Sequence, residues 1–163
     1  MPDKAYAILL TSFEDDDESG YLYFPIKRAG LPYAGMPQFF GGTKNVNESD
    51  RDAIRREMLE ESDAKITLEP GGLTRVHSAT VGGSRYSFYV ATRFSGHGFL
   101  GPLKNGEMSS IRRFFVQVGQ RQNMEDLLRS LAIVPSEEFM ESETYVAFER
   151  AIEWSEMEIR ALV

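Results

Sequence analysis

The sequence predicts a mixed chain of class α/β (α+β), with a mixed β-sheet between helices in an α/β/α sandwich outline. Three observations predict it. Short segments of alternating apolar residues lie both before and after a central run of strong helix formers. Helical periodicity returns at the C-terminal end. The length of 163 residues, with 42% hydrophobic and 26% charged, suits a single domain over residues 1–163 with a sizeable core. No internal repeat or low-complexity linker divides it.

Residues 5–13 read as a strand, because Tyr6, Ile8 and Leu10 alternate with smaller neighbours. The acidic run Glu14 to Glu18, a solvated stretch, leads with Ser19 and Gly20 into a turn. Residues 21–27 then return as a second strand, which makes a hairpin. Gly30, Pro32, Gly35 and Pro37 mark a loop, and residues 38–40 are an apolar approach to Gly41-Gly42. Ser49 or Asp50 caps a helix that runs to Ser62, with Ala53, Ile54 and Met58 as its core stripe. Pro70, Gly71 and Gly72 break the chain again. Residues 73–81 and 85–94 read as two strands joined by Gly82-Gly83-Ser84. Residues 95–106 are a glycine-rich loop, and residues 111–118 a further strand. A short helix is expected over 124–131 and a long one over 143–162, with Tyr145, Phe148, Ile152 and Ile159 on one face.

Composition excludes several functions. A formal net charge of -7 argues against a broad nucleic-acid or anionic-membrane surface, which needs a basic face for phosphates. The charge is unevenly placed, however. Residues 64–135 hold nine bases and four acids, so a phosphate-bearing small molecule is not excluded. With no Cys there is no disulfide framework, thiolate zinc site or Cys nucleophile. No stretch approaches the length of a membrane span, and the apolar run at 5–10 is too short for a signal-peptide core. The default expectation is therefore the cytoplasm.

The informative segment is 42–64, GTKNVNESDRDAIRREMLEESDA. Glu57, Glu60 and Glu61 stand at i, i+3 and i+4 on the expected helix, so their carboxylates share one rim. Like charges at that spacing repel, and a cation would offset the cost. Carboxylate oxygens without His or Cys are hard ligands that suit Mg²⁺, with Mn²⁺ as the alternative. Mg²⁺ commonly keeps waters and shares its shell with substrate phosphates, which favours a catalytic over a structural role. Arg56 can hold Glu48 bidentately and so clamp the loop to the helix. Gly41-Gly42 allows a tight turn that brings a backbone carbonyl near the ion.

The segment resembles the Nudix box, Gly-x5-Glu-x7-Arg-Glu-U-x-Glu-Glu-x-Gly-U, where U is a bulky aliphatic residue. Gly42, Glu48, Arg56, Glu57, Glu60 and Glu61 match at the required spacing, and Met58 fills the first U. Six fixed positions match by chance along such a chain with a probability on the order of 10⁻⁵, so the spacing is not a coincidence of composition. Two positions depart: Asp63 stands where the box has Gly, and Ala64 is small for the last U. The Gly closes the helix in the left-handed conformation, which Asp tolerates better than most side chains.

The resemblance implies the Nudix α/β/α fold and a hydrolase that cleaves the diphosphate bond of a nucleoside diphosphate linked to another moiety. In that reaction a metal-activated water attacks phosphorus in line. It further implies Glu57, Glu60 and Glu61 as metal ligands, the Gly42 carbonyl as a further one, and Arg56 with Glu48 as the structural clamp. Glu107 resembles the extra carboxylate that family members supply after the box, as ligand or as general base. A Nudix-fold module that binds nucleotide without cleaving it is the alternative, and the intact box glutamates argue against it. Homodimers are common in the family, but no feature here decides the matter.

The substrate is not legible. The window 79–82 carries neither the Pro of ADP-ribose hydrolases nor the Tyr of dinucleoside polyphosphate hydrolases. Arg28, Arg75, Arg85 and Arg93 either grip phosphates or form surface ion pairs, the pairs being the commoner use. Tyr23, Tyr33, Phe39 and Phe40 either stack on a base or fill the core, the core being the commoner use. His77 and His97 have no partner at metal-ligand spacing.

Overall fold

In the computed structural model of the chain, the described residues are 2–10, 19–31, 34–35, 37–81, 83–96, 101–117 and 150. Strand β1 (Lys4–Leu10) organises the main sheet. Its alternation gives it two buried faces: Ala5, Ala7 and Leu9 on one, Tyr6, Ile8 and Leu10 on the other, all at most 5% exposed. Strand β2 (Ser19–Lys27) pairs antiparallel with the end of β1, Leu9 opposite Tyr23. Strand β3 (Phe40–Thr43) pairs antiparallel with its beginning, Tyr6 opposite Gly41. One edge of β1 is thus shared by two strands.

Helix α1 (Asp50–Glu61) follows. Ser49 caps it from extended backbone, its hydroxyl accepting from the Asp52 N–H at 3.1 Å. Asp50 and Asp52 suit the positive end of the helix dipole. Asp50 is fixed there by Lys44 at 2.7 Å and by the Tyr89 hydroxyl. Strand β4 (Thr67–Leu68) is short, and strands β5 (Leu73–Val81) and β6 (Ser84–Ala91) form the second hairpin, with a register shift between Arg75 and His77. β6 lies parallel to β1 over Lys4–Leu9, opposite Tyr86–Ala91. Strand β7 (Phe94–Ser95) pairs with β4 in a separate small sheet, and strand β8 (Met108–Gln117) pairs along all of β2. The main sheet runs β5-β6-β1-β2-β8, with β3 beside β1.

The apolar stripe Ala53, Ile54 and Met58 of α1 packs on the β1 face that carries Ala5, Ala7 and Leu9, together with Ile66, Leu68, Phe94 and Met108. The small alanines leave room for the helix. Full burial of Ile54 and Met58 contributes about 1.5–3 kcal/mol each. The opposite face holds an aromatic layer: Tyr6 stacks on Phe88 at 5.7 Å, and Phe39 meets Phe88 edge-on at 6.0 Å. Both faces are buried, as a sheet inside a sandwich requires.

The mixed sheet and central helix agree with the sequence reading, and several details differ; Ser19, Gly20 and Ser84, expected in turns, instead open β2 and β6 through their ladder pairings. The predicted strand 85–94 divides after Ala91, because the Thr92 N–H donates to the Gly72 carbonyl and the Glu69 N–H to the Arg93 carbonyl, both at 2.9 Å. The last strand begins at Met108 rather than residue 111, extended by its ladder with β2. β3 and β4 were not expected as strands. Except for Arg150, the predicted helices over 124–131 and 143–162 lie outside the described residues, as do the acidic run 14–18, Tyr33 and His97. Among the described residues no helix is long and apolar enough to cross a membrane.

Candidate metal and phosphate site

The second half of α1 and the turn before it build the site. Gly41 lies at φ 132°, and a Cβ there would stand 2.1 Å from the Ala5 carbonyl oxygen. Only glycine lets β3 approach β1 this closely. The approach aims the Gly41 N–H at Glu61, whose Oε1 accepts it at 2.8 Å. Gln38, itself buried, donates its side-chain amide to Glu61 Oε2 at 3.3 Å. A Cβ at Gly42 would meet the Glu57 carboxyl carbon at 3.1 Å, so the bare glycine makes room for that carboxylate.

The box glutamates occupy three different environments. Glu61 is 1% exposed, the Glu57 side chain 15% and the Glu60 side chain 62%. Burial pushes the Glu61 carboxyl well above the usual range; the Gly41 N–H opposes this, and the nearby charges of Glu107 and Glu57 add to it. Burial also raises Glu57; Arg56 opposes the shift, while Glu60 and Glu107 reinforce it. Three carboxylates, Glu57, Glu61 and Glu107, thus act on one another across the site. Among the described residues, no group of three or more acid, histidine or cysteine side chains stands in ion-holding geometry as placed.

Arg56 lies over the outer rim. Its Nε donates to Glu48 Oε2 at 3.0 Å and one terminal nitrogen to Glu48 Oε1 at 2.9 Å, a bidentate grip. The same nitrogen reaches the Thr43 carbonyl at 2.9 Å, and the other donates to Glu57 Oε1 at 2.9 Å. One guanidinium thereby joins β3, the following loop and α1. The Arg56 side chain and the Asn45 N–H hold the Glu48 carboxyl down at about 2. The hydrogen bond to Glu48 raises Arg56 in turn.

Glu107 comes from the loop before β8. Its side chain is 50% exposed and pairs with Lys27 at 3.2 Å. The other residues singled out by sequence lie elsewhere. Phe39, Phe40 and Tyr23 are in the core and form no base-stacking surface. Arg93 lies against Gly72. Among the described residues, Arg28 serves the backbone. Its guanidinium donates to the carbonyls of Asn105, Leu103 and Met108, at 2.8, 2.6 and 2.9 Å, and so shapes the Glu107 loop. Sequence reasoning passed over Gln38, Asn105 and this use of Arg28. Gln38 and Arg28 reach partners more than twenty positions away, and Asn105 joins its local turn to Glu61 and Asp63 more than forty positions back.

No family model matches the sequence, and no curated protein matches it. Solved structures do. An ADP compounds hydrolase superposes with a TM-score of 0.57 at 18% identity, over 95% of this chain and 74% of that one. The E. coli ORF135 protein gives a TM-score of 0.51 at 20% identity, over 93% and 91%. A MutT/nudix family protein from Enterococcus faecalis gives 0.51 at 20% identity, over 70% of this chain and 43% of that one. The chain therefore spans less than half the length of the Enterococcus protein. With its mixed sheet, its packed central helix and these likenesses, the chain has the Nudix fold, the architecture that the resemblance of residues 42–64 implies.

Proposed function

We propose that the chain is a Nudix hydrolase that uses Mg²⁺, or Mn²⁺, to cleave the diphosphate bond of a nucleoside diphosphate linked to another moiety. The observation that carries this reading is Glu61. It is a fully buried carboxylate, and among the described residues the backbone N–H of Gly41 and the side-chain amide of Gln38 donate to its oxygens. The charges of Glu107 and Glu57 both act on it. An oxygen-only donor set of like-charged carboxylates fits a hard divalent cation. The similarity to an ADP compounds hydrolase makes ADP-linked diphosphates the first substrates to test.

In this reading Glu57, Glu60 and Glu61 hold the cation, with the Gly42 carbonyl and Glu107 as further donors. Bound there, the cation would supply charge neutralisation at the phosphate oxygens and acidify a coordinated water. The protein does the rest. Arg56 and Glu48 lock the β3–α1 loop, so that Gly42 and Glu57 keep their spacing. Gly41 and Gln38 orient the Glu61 carboxylate. Glu107, a half-exposed loop acid, would take the proton of the attacking water.

A panel of ADP-ribose, nucleotide sugars, dinucleoside polyphosphates, nucleoside triphosphates and capped RNA with Mg²⁺ tests the proposal. Hydrolysis of at least one compound is expected, abolished by EDTA and by Glu61→Gln. Full activity in Glu57→Gln, Glu60→Gln and Glu61→Gln would sink the site assignment. Tight nucleotide binding without turnover would point instead to a binding module.

A further inference from the structure

Asp63, which replaces the glycine of the box, adopts the left-handed conformation that the glycine would take, at φ 53°. Glycine reaches that conformation without strain, so a strained side chain there calls for a compensating contact. The contacts of its carboxylate supply one. Asp63 accepts from the Lys104 N–H, from the Asn105 N–H at 3.1 Å and from the Asn105 side-chain amide at 2.9 Å. The same Asn105 amide donates to the Glu61 carbonyl at 3.1 Å. On its other side, Asn105 Oδ1 accepts the N–H groups of Glu107 at 3.1 Å and Met108 at 2.7 Å. An unbroken run of hydrogen bonds therefore leads from the end of α1 to the backbone of Glu107. Arg28 closes the loop from the opposite side, through the three carbonyls it binds and through its own N–H, which donates to the Glu107 carbonyl at 2.9 Å.

We propose that Asp63 and Asn105 form a latch that positions Glu107 against the helix acids, so that the loop carboxylate and Glu61 are set by one rigid connection. This rests on the hydrolase reading above, in which Glu107 is a cation donor or base. Asp63 and Asn105 touch neither substrate nor cation; they are positioning residues that act through Glu107. A glycine at position 63 could close the helix but could not hold the loop. The carboxylate therefore gives this chain a connection that the box pattern alone does not encode.

The test compares wild type, Asp63→Gly, Asn105→Ala, Glu107→Gln and the double variant Asp63→Gly/Glu107→Gln. Asp63→Gly keeps a residue suited to the backbone conformation, so it is expected to fold. The first readout is amide hydrogen exchange in the metal-free protein. Protection at Lys104, Asn105, Glu107 and Met108 is expected to fall in Asp63→Gly and to remain in Glu107→Gln. The second is Mn²⁺ affinity. Asp63→Gly and Asn105→Ala are each expected to weaken it at least about tenfold, as loss of an outer support does. Adding Asp63→Gly to Glu107→Gln should change it less than about twofold, because both remove the same contribution. Additive losses in the double variant, or wild-type protection and affinity in Asp63→Gly, would overturn the latch while leaving the hydrolase reading intact. A wild-type protein that binds no Mn²⁺ overturns that reading and the latch with it.

Discussion

Replacing Glu61 by Gln removes one charge and keeps the shape of a fully buried side chain. In the metal-free protein the Glu61 carboxyl is held well above its ordinary value of 4.5, first by burial and then by Glu107 and Glu57. A carboxyl raised by folding contributes stability that is fully present below 4.5 and is lost as the pH climbs through the folded value. Within that window one such group costs about 1.4 kcal/mol per pH unit. For a chain of this size that is about 3–5 °C in melting temperature per unit. Glu57, also raised, adds the same sign but is common to both proteins. Glu48 and Asp63 are lowered, so their contributions are lost on acidification below the ordinary carboxylate range, and are also common to both. The difference between wild type and Glu61→Gln therefore reports Glu61 together with its coupling to Glu57. Urea unfolding in EDTA, repeated from pH 5 to 8, should show the variant gaining on wild type as pH rises. Adding Mg²⁺ at a hundred times its dissociation constant should stabilise wild type by about 2.7 kcal/mol and the variant far less. Parallel pH profiles, or an undiminished Mg²⁺ gain in the variant, would refute the assignment of Glu61 as a buried acid awaiting a cation.

Gly41→Ala would force a Cβ into the Ala5 carbonyl and break the Tyr6–Gly41 register, at a cost of about 3–5 kcal/mol by thermal unfolding; a loss under about 1 kcal/mol would contradict the close approach. Ser49→Ala should cost about 1 kcal/mol through the helix cap and leave kcat unchanged, since the cap is about two to three turns from the acids. Arg56→Lys cannot span Glu48, Thr43 and Glu57 with one ammonium, and kcat/KM should fall about 10–100-fold with the fold retained by circular dichroism. Acid unfolding of Glu48→Gln should lack the part of the wild-type loss that runs from 4.5 down to about 2, where the Arg56 clamp is protonated away.

The parts of this molecule legible from sequence are those whose causes are local. Tyr6, Ile8 and Leu10 announce β1 because pleating puts alternate side chains on one face. Ser49 announces the start of α1 because its hydroxyl meets an N–H only three residues on. Glu57 and Glu61 announce a shared helix rim for the same reason of spacing. What stayed hidden is nonlocal or too short. β3 is four residues with two glycines, and no periodicity shows in four residues. Its pairing with β1 depends on an approach that only the assembled sheet defines. The sequence also left Arg28 as a generic cation. Its use depends on carbonyls 75 to 80 positions away. The burial of Glu61 against the exposure of Glu60, its neighbour in sequence, follows from which side of α1 faces β3.

Helix α1 is arranged against its own stability. Its last turn contains no basic residue, and Glu57, Glu60 and Glu61 gather where the helix dipole is negative. Each acid at that end costs about 0.3–1 kcal/mol, before any burial of Glu61 is considered. Arg56 relieves only the outer side, through Glu48 and Glu57, with Glu60 at 3.8 Å. The apolar stripe carries the deficit, since Ile54 and Met58 together contribute about 3–6 kcal/mol by burial. A helix built for stability alone would place Lys or Arg in that turn and a neutral residue at Glu61. In the proposed function this charge is the part of the stability that a divalent cation would return, and Gly41, Gln38 and the Asp63–Asn105 connection hold it in place. On that proposal, affinity for a cation and weakness of the metal-free helix would be the same free energy, seen from two sides.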